Sequence, residues 1–219
     1  MSEELLIVGD VHGDNDRLQR MLDITHRFDR RVIFLGDYIN RGLDSSAVLE
    51  SLSQLKQQAP DRYTFLCGNH ELALLKYLAD RSFAPFAAIG GLRTIRSYVR
   101  SDISGDVYRA FCRSVPSHHR LFLESLEAYW ETDTILVSHA GYDPQKPDDR
   151  SIESVAMRSH PLIFQEATSP KPRIVCGHYV QSSGRPFVGK NLVCVDTGCG
   201  TIGGPLTAVL LPELEFISA

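Results

Sequence analysis

Three short apolar runs near the start of the chain are each followed directly by a glycine-containing phrase rich in oxygen and nitrogen donors. The runs are 5–8, 32–35 and 63–66, and they precede Gly9-Asp10-Val11-His12-Gly13, Gly36-Asp37-Tyr38-Ile39-Asn40-Arg41-Gly42 and Gly68-Asn69-His70-Glu71. Glycine lets the backbone turn sharply and approach a ligand closely. Carboxylates, imidazoles and a carboxamide form a mixed donor set that suits divalent metal ions. We therefore expect a metal site at the ends of neighbouring strands.

Three later phrases repeat this arrangement in the second half of the chain. Ser138-His139-Ala140-Gly141 follows Ile135-Leu136-Val137, Gly177-His178-Tyr179 follows Ile174-Val175-Cys176, and Asp196-Thr197-Gly198 follows Leu192-Val193-Cys194-Val195. A single histidine after a strand is more typical of a polar turn, but six such phrases in one chain favour one shared site. Open α/β sheets place their sites at the carboxyl ends of their strands.

The pattern of apolar residues predicts a mixed α/β fold. Strand-like runs occupy 5–8, 32–35, 63–66, 134–138, 173–176, 192–195 and 206–211. Amphipathic helical patterns over 14–28 and 45–58 separate the first three runs, which predicts βαβ units with parallel strands. The later strands are separated by tight turns with Gly and Pro, so we expect a mixed sheet there.

The segment at about 72–130 is predicted to be mostly helical and to form a cap. A chain of 219 residues can build one substantial core, so we interpret residues 1–219 as a single domain that carries this cap. The clearest helix of the segment is predicted over 117–130, after Pro116. Its inward side chains are expected to be Leu121, Phe122, Leu126 and Tyr129.

Composition limits the environment and the partners. A net charge of −4 argues against nonspecific nucleic-acid binding, which needs Lys and Arg to neutralise phosphates. No apolar run approaches the roughly 18 residues of a membrane span, so no membrane insertion is expected. The acidic N-terminus, Met1-Ser2-Glu3-Glu4, does not resemble a signal peptide. A cytoplasmic location is therefore expected, and the oligomeric state is left open.

The cysteines do not form a disulfide framework, because their number is odd and no CxxC pair is present. They are Cys67, Cys112, Cys176, Cys194 and Cys199. Buried reduced thiols are the favoured interpretation. The alternative is a redox-sensitive thiol at Cys67 or Cys176, because each directly precedes one of the ligand phrases.

Taken in order, the phrases resemble those of the calcineurin-like metallophosphoesterases. The family pattern is GDxHG, GDxxDRG, GNHE, HAG and GH, and this chain has GDVHG, GDYINRG, GNHE, SHAG and GHY. The resemblance extends from about residue 5 to 211 and is greatest to the bacterial serine/threonine branch of the phosphoprotein phosphatases. It implies an α/β fold in which two mixed β-sheets are sandwiched and flanked by helices, in four αββα layers.

The resemblance also implies a centre with two divalent metal ions. Manganese is expected, and the donor set also accepts iron or zinc. The implied ligands are Asp10, His12, Asp37, Asn69, His139 and His178. Asp10, His12 and Asp37 would hold the first ion. Asp37 would bridge to the second ion, which the other three ligands complete, and a hydroxide between the two ions would attack phosphorus in line.

Four further residues are assigned by the resemblance. Arg41 matches the family arginine that clamps phosphate with a bidentate fork, and His70 matches the general acid that protonates the leaving group. Bacterial relatives carry a Trp-x-Arg phrase after HAG, where this chain has Ala-Met-Arg158, so Arg158 is the candidate second clamp or else a solvated surface arginine. Asn40 stands where the family has an Asp that orients the acid. Asn40 can form a hydrogen bond with His70 but has no charge to stabilise an imidazolium.

Three functions follow, in order of preference. The first is hydrolysis of phosphomonoesters, above all phosphoserine or phosphothreonine on proteins. The alternative is hydrolysis of a nucleotide anhydride such as diadenosine tetraphosphate. A weakly active metal-binding regulator is third, because of Asn40. Tyr179 is expected either to stack on a substrate ring or to pack at its strand end, and His118 and His119 are expected in surface or packing roles.

Overall fold

The first sheet begins with three parallel strands that two helices connect. The computed structural model describes residues 4–99, 105–165 and 173–219. Its first elements are β1 (Leu5–Val8), α1 (Asn15–Thr25), β2 (Arg31–Phe34), α2 (Ser45–Gln58) and β3 (Tyr63–Phe65). β1, β2 and β3 pair in parallel, as the predicted βαβ units require. The helix predicted over 14–28 is shorter at both ends than expected.

The C-terminal end of the chain completes this sheet. β9 (Thr207–Leu211) pairs antiparallel with β1, and β10 (Glu215–Ser218) pairs antiparallel with β9. The strand order is β10-β9-β1-β2-β3. β10 was not predicted from the sequence, because its side chains are mostly exposed at the sheet edge, where apolar patterning is weak.

The second sheet is also mixed, with parallel strands in the middle and antiparallel strands at the edges. It contains β4 (Tyr129–Glu131), β5 (Ile135–Ser138), β6 (Arg173–Cys176), β7 (Phe187–Val188) and β8 (Leu192–Cys194). The order is β4-β5-β6-β8-β7, and β5, β6 and β8 are parallel. The two short edge strands β4 and β7 were not predicted.

The two sheets pack face to face. Alternate residues of a strand point to opposite faces, so Leu5 and Ile7 of β1 share a buried cluster with Val137 and Val175 of the second sheet. Leu6 of the same strand packs on the other face, in the core beneath the helices. The 3₁₀ helix at Pro161–Phe164 covers the outer face of the second sheet, where Ile163 packs against Ile174 and Leu192. A π-helical turn lies at Glu153–Met157. The predicted fold class, two mixed sheets flanked by helices, is confirmed.

Five helices lie between β3 and β4 in the described part of this segment. They are α3 (Asn69–Asp80), α4 (Phe83–Ala88), α5 (Gly91–Tyr98), α6 (Val107–Ser114) and α7 (Ser117–Glu124). Phe86, Phe111 and Phe122 of this segment belong to the same buried cluster as the helix-facing side of the first sheet. That the segment acts as a cap of a single domain stays a prediction.

The helix predicted over 117–130 is wrong in its second half. α7 ends at Glu124, and Tyr129 and Trp130 instead lie in β4, which pairs with β5. Leu121, expected inward, is 65% exposed. The pairing of β4 with the edge of β5 overrides the helical periodicity, which is a weak local preference beside tertiary contacts.

No helix among the described residues is both long enough and apolar enough to cross a bilayer.

Phe65 connects the first sheet to the helical segment, which leads to a stability prediction. Its ring stacks on Phe34 at 5.2 Å between centroids and meets Phe122 of α7 edge-on at 5.2 Å. Phe65→Ala should lower the free energy of unfolding by about 3–5 kcal/mol, because a fully buried ring is removed and a cavity remains. Urea unfolding measures this change. Phe216→Ala on β10, where the ring is 37% exposed, is the control, and an equal loss in both variants would contradict this role for Phe65.

Candidate metal centre

The polar phrases that follow the parallel strands of both sheets meet at one edge of the sandwich. Two hydrogen bonds join the sheets there. His139 Nδ1, after β5, donates to the carbonyl of Leu35 at 3.2 Å, and the amide of His178, after β6, donates to the carboxylate of Asp10 at 3.1 Å. The structure therefore brings together the six residues predicted as ligands.

Four donor atoms of this group, one of them Asp37 Oδ1, lie close together. His139 Nε2 lies 3.4 Å from Asp37 Oδ1, 3.2 Å from Asn69 Oδ1 and 3.1 Å from His178 Nδ1. Asn69 Oδ1 also lies 3.1 Å from His178 Nδ1. These are the four side chains that the sequence analysis assigned to the second ion.

The protonation of His139 shows that this cluster fits a cation. Its Nδ1–H donates to the Leu35 carbonyl, so its Nε2 carries a lone pair in the neutral ring. Burial lowers the pKa of His139 well below its usual value, which keeps the ring neutral. A lone pair thus faces two oxygen acceptors, Asp37 Oδ1 and Asn69 Oδ1. Burial, followed by the charge of Glu71, also raises the pKa of Asp37 well above its usual value, so the arrangement needs a shared proton or a metal ion between the atoms.

A second cluster lies on the other carboxylate oxygen of Asp37. His12 Nε2 and His70 Nε2 each lie 3.6 Å from Asp37 Oδ2. His12 Nδ1 donates to the carbonyl of Ile39 at 3.1 Å, which orients the Nε2 lone pair toward Asp37. The contact of a ligand's second ring nitrogen with a carbonyl is typical of metal-binding histidines. His70 is as close to Asp37 as His12 is, so its assignment as acid rather than ligand stays a prediction.

The carboxylates of the site repel one another in the metal-free protein. Burial, followed by the charges of Asp196 and Asp37, raises the pKa of Asp10 well above its usual value. Burial raises the pKa of Asp196 to about 6, and its buried Oδ2 lacks a hydrogen-bond partner. This orphaned oxygen beside other carboxylates is a second sign that the site fits cations.

The imidazoles are already in the form that binds a metal. Burial lowers the pKa of His12 and that of His178 to about 4, so both rings are neutral at pH 7. A histidine must be neutral to coordinate a metal. His178 Nε2 meets Ser159 Oγ at 2.7 Å, which turns Nδ1 toward the cluster.

Strained backbone holds several of these side chains in place. Positive φ angles occur at His12 (48°), Asp37 (52°), Asn40 (71°), Arg41 (59°) and His178 (65°). Left-handed conformations of non-glycine residues cost of order 1–3 kcal/mol each and persist only where the surroundings impose them. The cost is concentrated at the candidate site.

Glu71 fixes the loop that carries Asp37. Its fully buried carboxylate accepts hydrogen bonds from the backbone amides of Asp37 (2.8 Å), Tyr38 (2.9 Å) and Gly68 (3.1 Å). Burial raises its pKa to about 7. Gly68 permits this close packing, because a Cβ there would collide with the Asp37 carboxylate.

A hydrogen-bond chain leads from the helical segment to His70. Thr94 of α5 donates to Asn40 Oδ1 at 2.6 Å, and Asn40 Nδ2 contacts His70 Nδ1 at 2.8 Å. Because the carboxamide directs its NH₂ group at the ring, His70 Nδ1 is the acceptor and its proton is on Nε2. Burial, together with nearby positive charges, holds the pKa of His70 far below its usual value.

The two arginines lie in different settings. The guanidinium of Arg41 favours the charged forms of Asp37 and Asp196 and so opposes the rise in their pKa values that burial causes, which indicates that it lies near the carboxylates. Arg158 is exposed and pairs with Glu153 at 2.5 Å. It directly precedes Ser159, the contact of His178, so it flanks the site, and its role as a clamp stays a prediction.

Several functional positions were not identified from the sequence. Glu71 lies in the phrase GNHE and Thr94 in the predicted cap, but no pattern shows that one holds a loop and the other contacts Asn40. Asp196 follows a strand in the last of the six phrases, which assigns it no role by itself. Ser159 had no signal at all, because its contact with His178 arises only from the fold.

Tyr179 and the cysteines adopt the simpler of their expected roles. The Tyr179 hydroxyl bonds the backbone of His160 and of Ala140 at 2.6 and 3.0 Å, and its ring packs against Phe164. The five cysteines are free, and Cys67 and Cys176 are buried. Burial raises the pKa of Cys67. A hydrogen bond with Cys194, together with burial, raises the pKa of Cys176, so both thiols stay protonated and unreactive.

Comparison with known proteins identifies the family. A sequence profile of the calcineurin-like phosphoesterases matches residues 4–199. The chain belongs to this family. It is therefore a metallophosphoesterase, and the family implies that divalent metal ions are bound.

Individual relatives cover the chain to different extents. An asymmetrical bis(5'-nucleosyl)-tetraphosphatase of Oceanobacillus iheyensis is 26% identical over 97% of this chain and 90% of that protein. A protein phosphatase 2A catalytic chain of Dictyostelium discoideum is 41% identical, but only over 30% of this chain and 21% of that protein. The crystal structure of a protein proposed to be a diadenosine tetraphosphatase has a TM-score of 0.66 and 24% identity, covering 99% of this chain and 93% of that one. At 24% identity, this structural similarity shows a shared fold and nothing about function.

The donor set fits the metal ions that the family implies. Asp37, with Asn69, His139 and His178 on one side and His12 and Asp10 on the other, would hold them. When bound, such ions supply an activated water and neutralise charge on phosphoryl oxygens. The identity of the metal stays a prediction.

Asp196 provides a pH test of the metal-free centre. Its pKa is about 6 in the folded protein and 3.8 in the reference state, so folding favours the protonated form. The free energy of unfolding therefore falls as pH rises from about 4 to about 6, where the unfolded chain has ionised Asp196 and the folded protein has not. Below pH 4 this loss is absent. In the presence of a chelator, the difference in free energy of unfolding between Asp196→Asn and the native protein should therefore shift in favour of the variant by roughly 2–3 kcal/mol from pH 4 to pH 8.

Urea unfolding at both pH values measures this difference. Any effect of the substitution on stability that does not depend on pH is the same at both values and cancels. Asp133→Asn, at an exposed aspartate, is the control. A stability difference for Asp196→Asn that does not change with pH would show that the Asp196 carboxylate is not destabilised by its burial.

Proposed function

We propose that the protein hydrolyses the phosphoanhydride of a dinucleoside polyphosphate such as diadenosine tetraphosphate. The observation that carries the proposal is the contact between Asn40 and His70. A bis(5'-nucleosyl)-tetraphosphatase that matches nearly the whole chain supports the same substrate class.

The Asn40–His70 contact favours substrates with a good leaving group. The neutral ring keeps its proton on Nε2 and can donate a hydrogen bond from there, but it is a far weaker acid than an imidazolium. A serine alkoxide is a poor leaving group that needs a proton. A nucleotide phosphate leaves as a stable anion, so a hydrogen-bond donor suffices. Asn40 therefore matches an anhydride better than a phosphoserine ester.

A cleft beside His178 offers room for a nucleoside. Its volume is about 420 Å³, and it reaches the site through Ser159, which contacts His178 Nε2. The lining includes Asp143, Gln145, Arg158, Ser159, His160 and Leu162. Its mixture of polar and apolar side chains suits a ribose and a base. A nucleoside bound in this cleft would have its phosphates next to the candidate metal centre.

Hydrolysis of phosphoserine or phosphothreonine on proteins is the second candidate. The match to the protein phosphatase 2A catalytic chain favours it, but that match is confined to 66 residues. This function ranked first on the sequence motifs, and the longer matches and the Asn40 geometry reverse the order. The weakly active metal-binding regulator has no observation beyond Asn40 in its favour.

A substrate comparison tests the proposal. The protein, with manganese added, is incubated with diadenosine tetraphosphate or with a phosphoserine peptide, and the products are separated by anion-exchange chromatography. We expect faster turnover of the dinucleotide. Formation of ATP and AMP, or of two ADP, shows which anhydride bond is cleaved. Turnover of the peptide without turnover of the dinucleotide would contradict the proposal.

Arg41 is predicted to stabilise the phosphoryl group in the transition state. Arg41→Ala should reduce kcat/KM for the dinucleotide by about 2–4 kcal/mol of transition-state stabilisation, typical of one preorganised donor. Arg30→Ala is the control, because Arg30 pairs with Glu213 at the opposite end of β2.

Arg158→Ala is measured in parallel. A native rate for Arg158→Ala on every phosphoester would place the second clamp elsewhere.

Asn40 is predicted to set the preference between leaving groups. Asn40→Asp should restore an acceptor for His70 Nδ1–H and favour the imidazolium. Turnover of the phosphoserine peptide should then rise, while turnover of nitrophenyl phosphate and of the dinucleotide changes little. A general acid contributes about 10²–10⁴-fold, so partial recovery is measurable in steady-state kinetics.

His70→Asn provides the control for this prediction. In that background Asn40→Asp should have no effect on the peptide, because the acid is missing. If Asn40→Asp leaves the peptide-to-ester ratio unchanged while the metal content stays the same, Asn40 has no influence on the acid.

A further inference from the structure

A second group of metal-binding side chains lies away from the candidate metal centre. Glu50 is on α2, and His118 and His119 are in the first turn of α7. Both histidines contact the same carboxylate oxygen. His118 Nε2 lies 2.9 Å and His119 Nε2 lies 3.0 Å from Glu50 Oε2, and the three atoms lie within 4.8 Å of one another.

Other side chains orient this group. Gln54 Nε2 donates to Glu50 Oε1 at 2.5 Å, which leaves Oε2 for the histidines. Tyr98 Oη lies 2.7 Å from His119 Nδ1, so it can accept a hydrogen bond from Nδ1–H when Nε2 coordinates a metal. Partners of this kind fix the tautomer and direction of metal-binding histidines.

We propose that Glu50, His118 and His119 bind a zinc ion that connects α7 to α2. Tetrahedral zinc with bonds of about 2.0–2.2 Å holds its donor atoms about 3.3–3.5 Å apart. The two observed nitrogen–oxygen distances are a few tenths of an ångström shorter, so small outward side-chain movements admit the ion. Two imidazoles and one carboxylate leave the fourth position for water.

Burial and charge agree with this site. The His119 side chain is 2% exposed, whereas His118 and Glu50 are 38% and 44% exposed, so one ligand is fixed in the core and two are accessible to an arriving ion. Burial also lowers the pKa of His119, which keeps it neutral. Imidazole with one carboxylate suits zinc better than magnesium or calcium, which prefer oxygen ligands alone.

Zinc counting tests the proposal. The protein is stripped with a chelator, dialysed against buffers of fixed free zinc, and analysed by inductively coupled plasma mass spectrometry. The native chain should bind one equivalent more than His118→Ala, because the candidate metal centre is the same in both. His26→Ala, at an exposed histidine, should bind as much zinc as the native chain. Equal zinc content in the native chain and His118→Ala would overturn the proposal.

Three further measurements separate metal binding from a structural role. Zinc should raise the Tm of the native chain more than that of His118→Ala, because the ion connects two helices. Tyr98→Phe should weaken this zinc site about 10–100-fold, as loss of an orienting partner does. His118→Ala should keep the native hydrolysis rate with manganese, since this residue lies outside the catalytic site. An equal Tm shift in both proteins would contradict the site.

Discussion

The contact on which the structure depends is the one between His139 Nε2 and the oxygens of Asp37 and Asn69. Burial keeps the ring neutral, so a proton or a metal ion must separate its nitrogen from these oxygens. A divalent ion between these atoms converts their close approach into coordination. The same carboxylate, Asp37, faces His12 and His70 with its other oxygen, so one side chain joins the two halves of the centre.

The rest of the fold positions this carboxylate. The parallel strands of two sheets end at the same edge, and the glycines that follow them let the loops pack closely. Glu71 holds the Asp37 loop through three backbone amides, and several neighbours adopt strained left-handed conformations. A protein retains such strain where it supports a function. We regard the bound metals as the interaction that offsets it.

Much of this could be predicted from the sequence, because strand ends followed by Gly-Asp, Gly-Asn or Gly-His recur along the chain. The strands of the interior and α2 were placed nearly correctly, since their apolar patterns reflect burial on one or both faces. The edge strands β4 and β10 could not be predicted, because they bury little and their pairing is decided by neighbours. The contacts of Thr94 and Ser159 depend on segments distant in the chain. The direction of the Asn40 carboxamide, which determines the chemistry of His70, is likewise a property of the fold.

α2 links the two metal sites. Its first residue, Ser45, accepts a hydrogen bond from the Asn40 amide at 3.1 Å, and Glu50, about one and a half turns later, holds the histidines of α7.

The most direct test is a crystal structure with manganese and its anomalous scattering. We predict two peaks about 3.5–4 Å apart, both in contact with Asp37. One would be completed by Asp10 and His12, and the other by Asn69, His139 and His178, with His70 bound to neither. A single peak, or peaks that do not contact Asp37, would contradict this model of the centre.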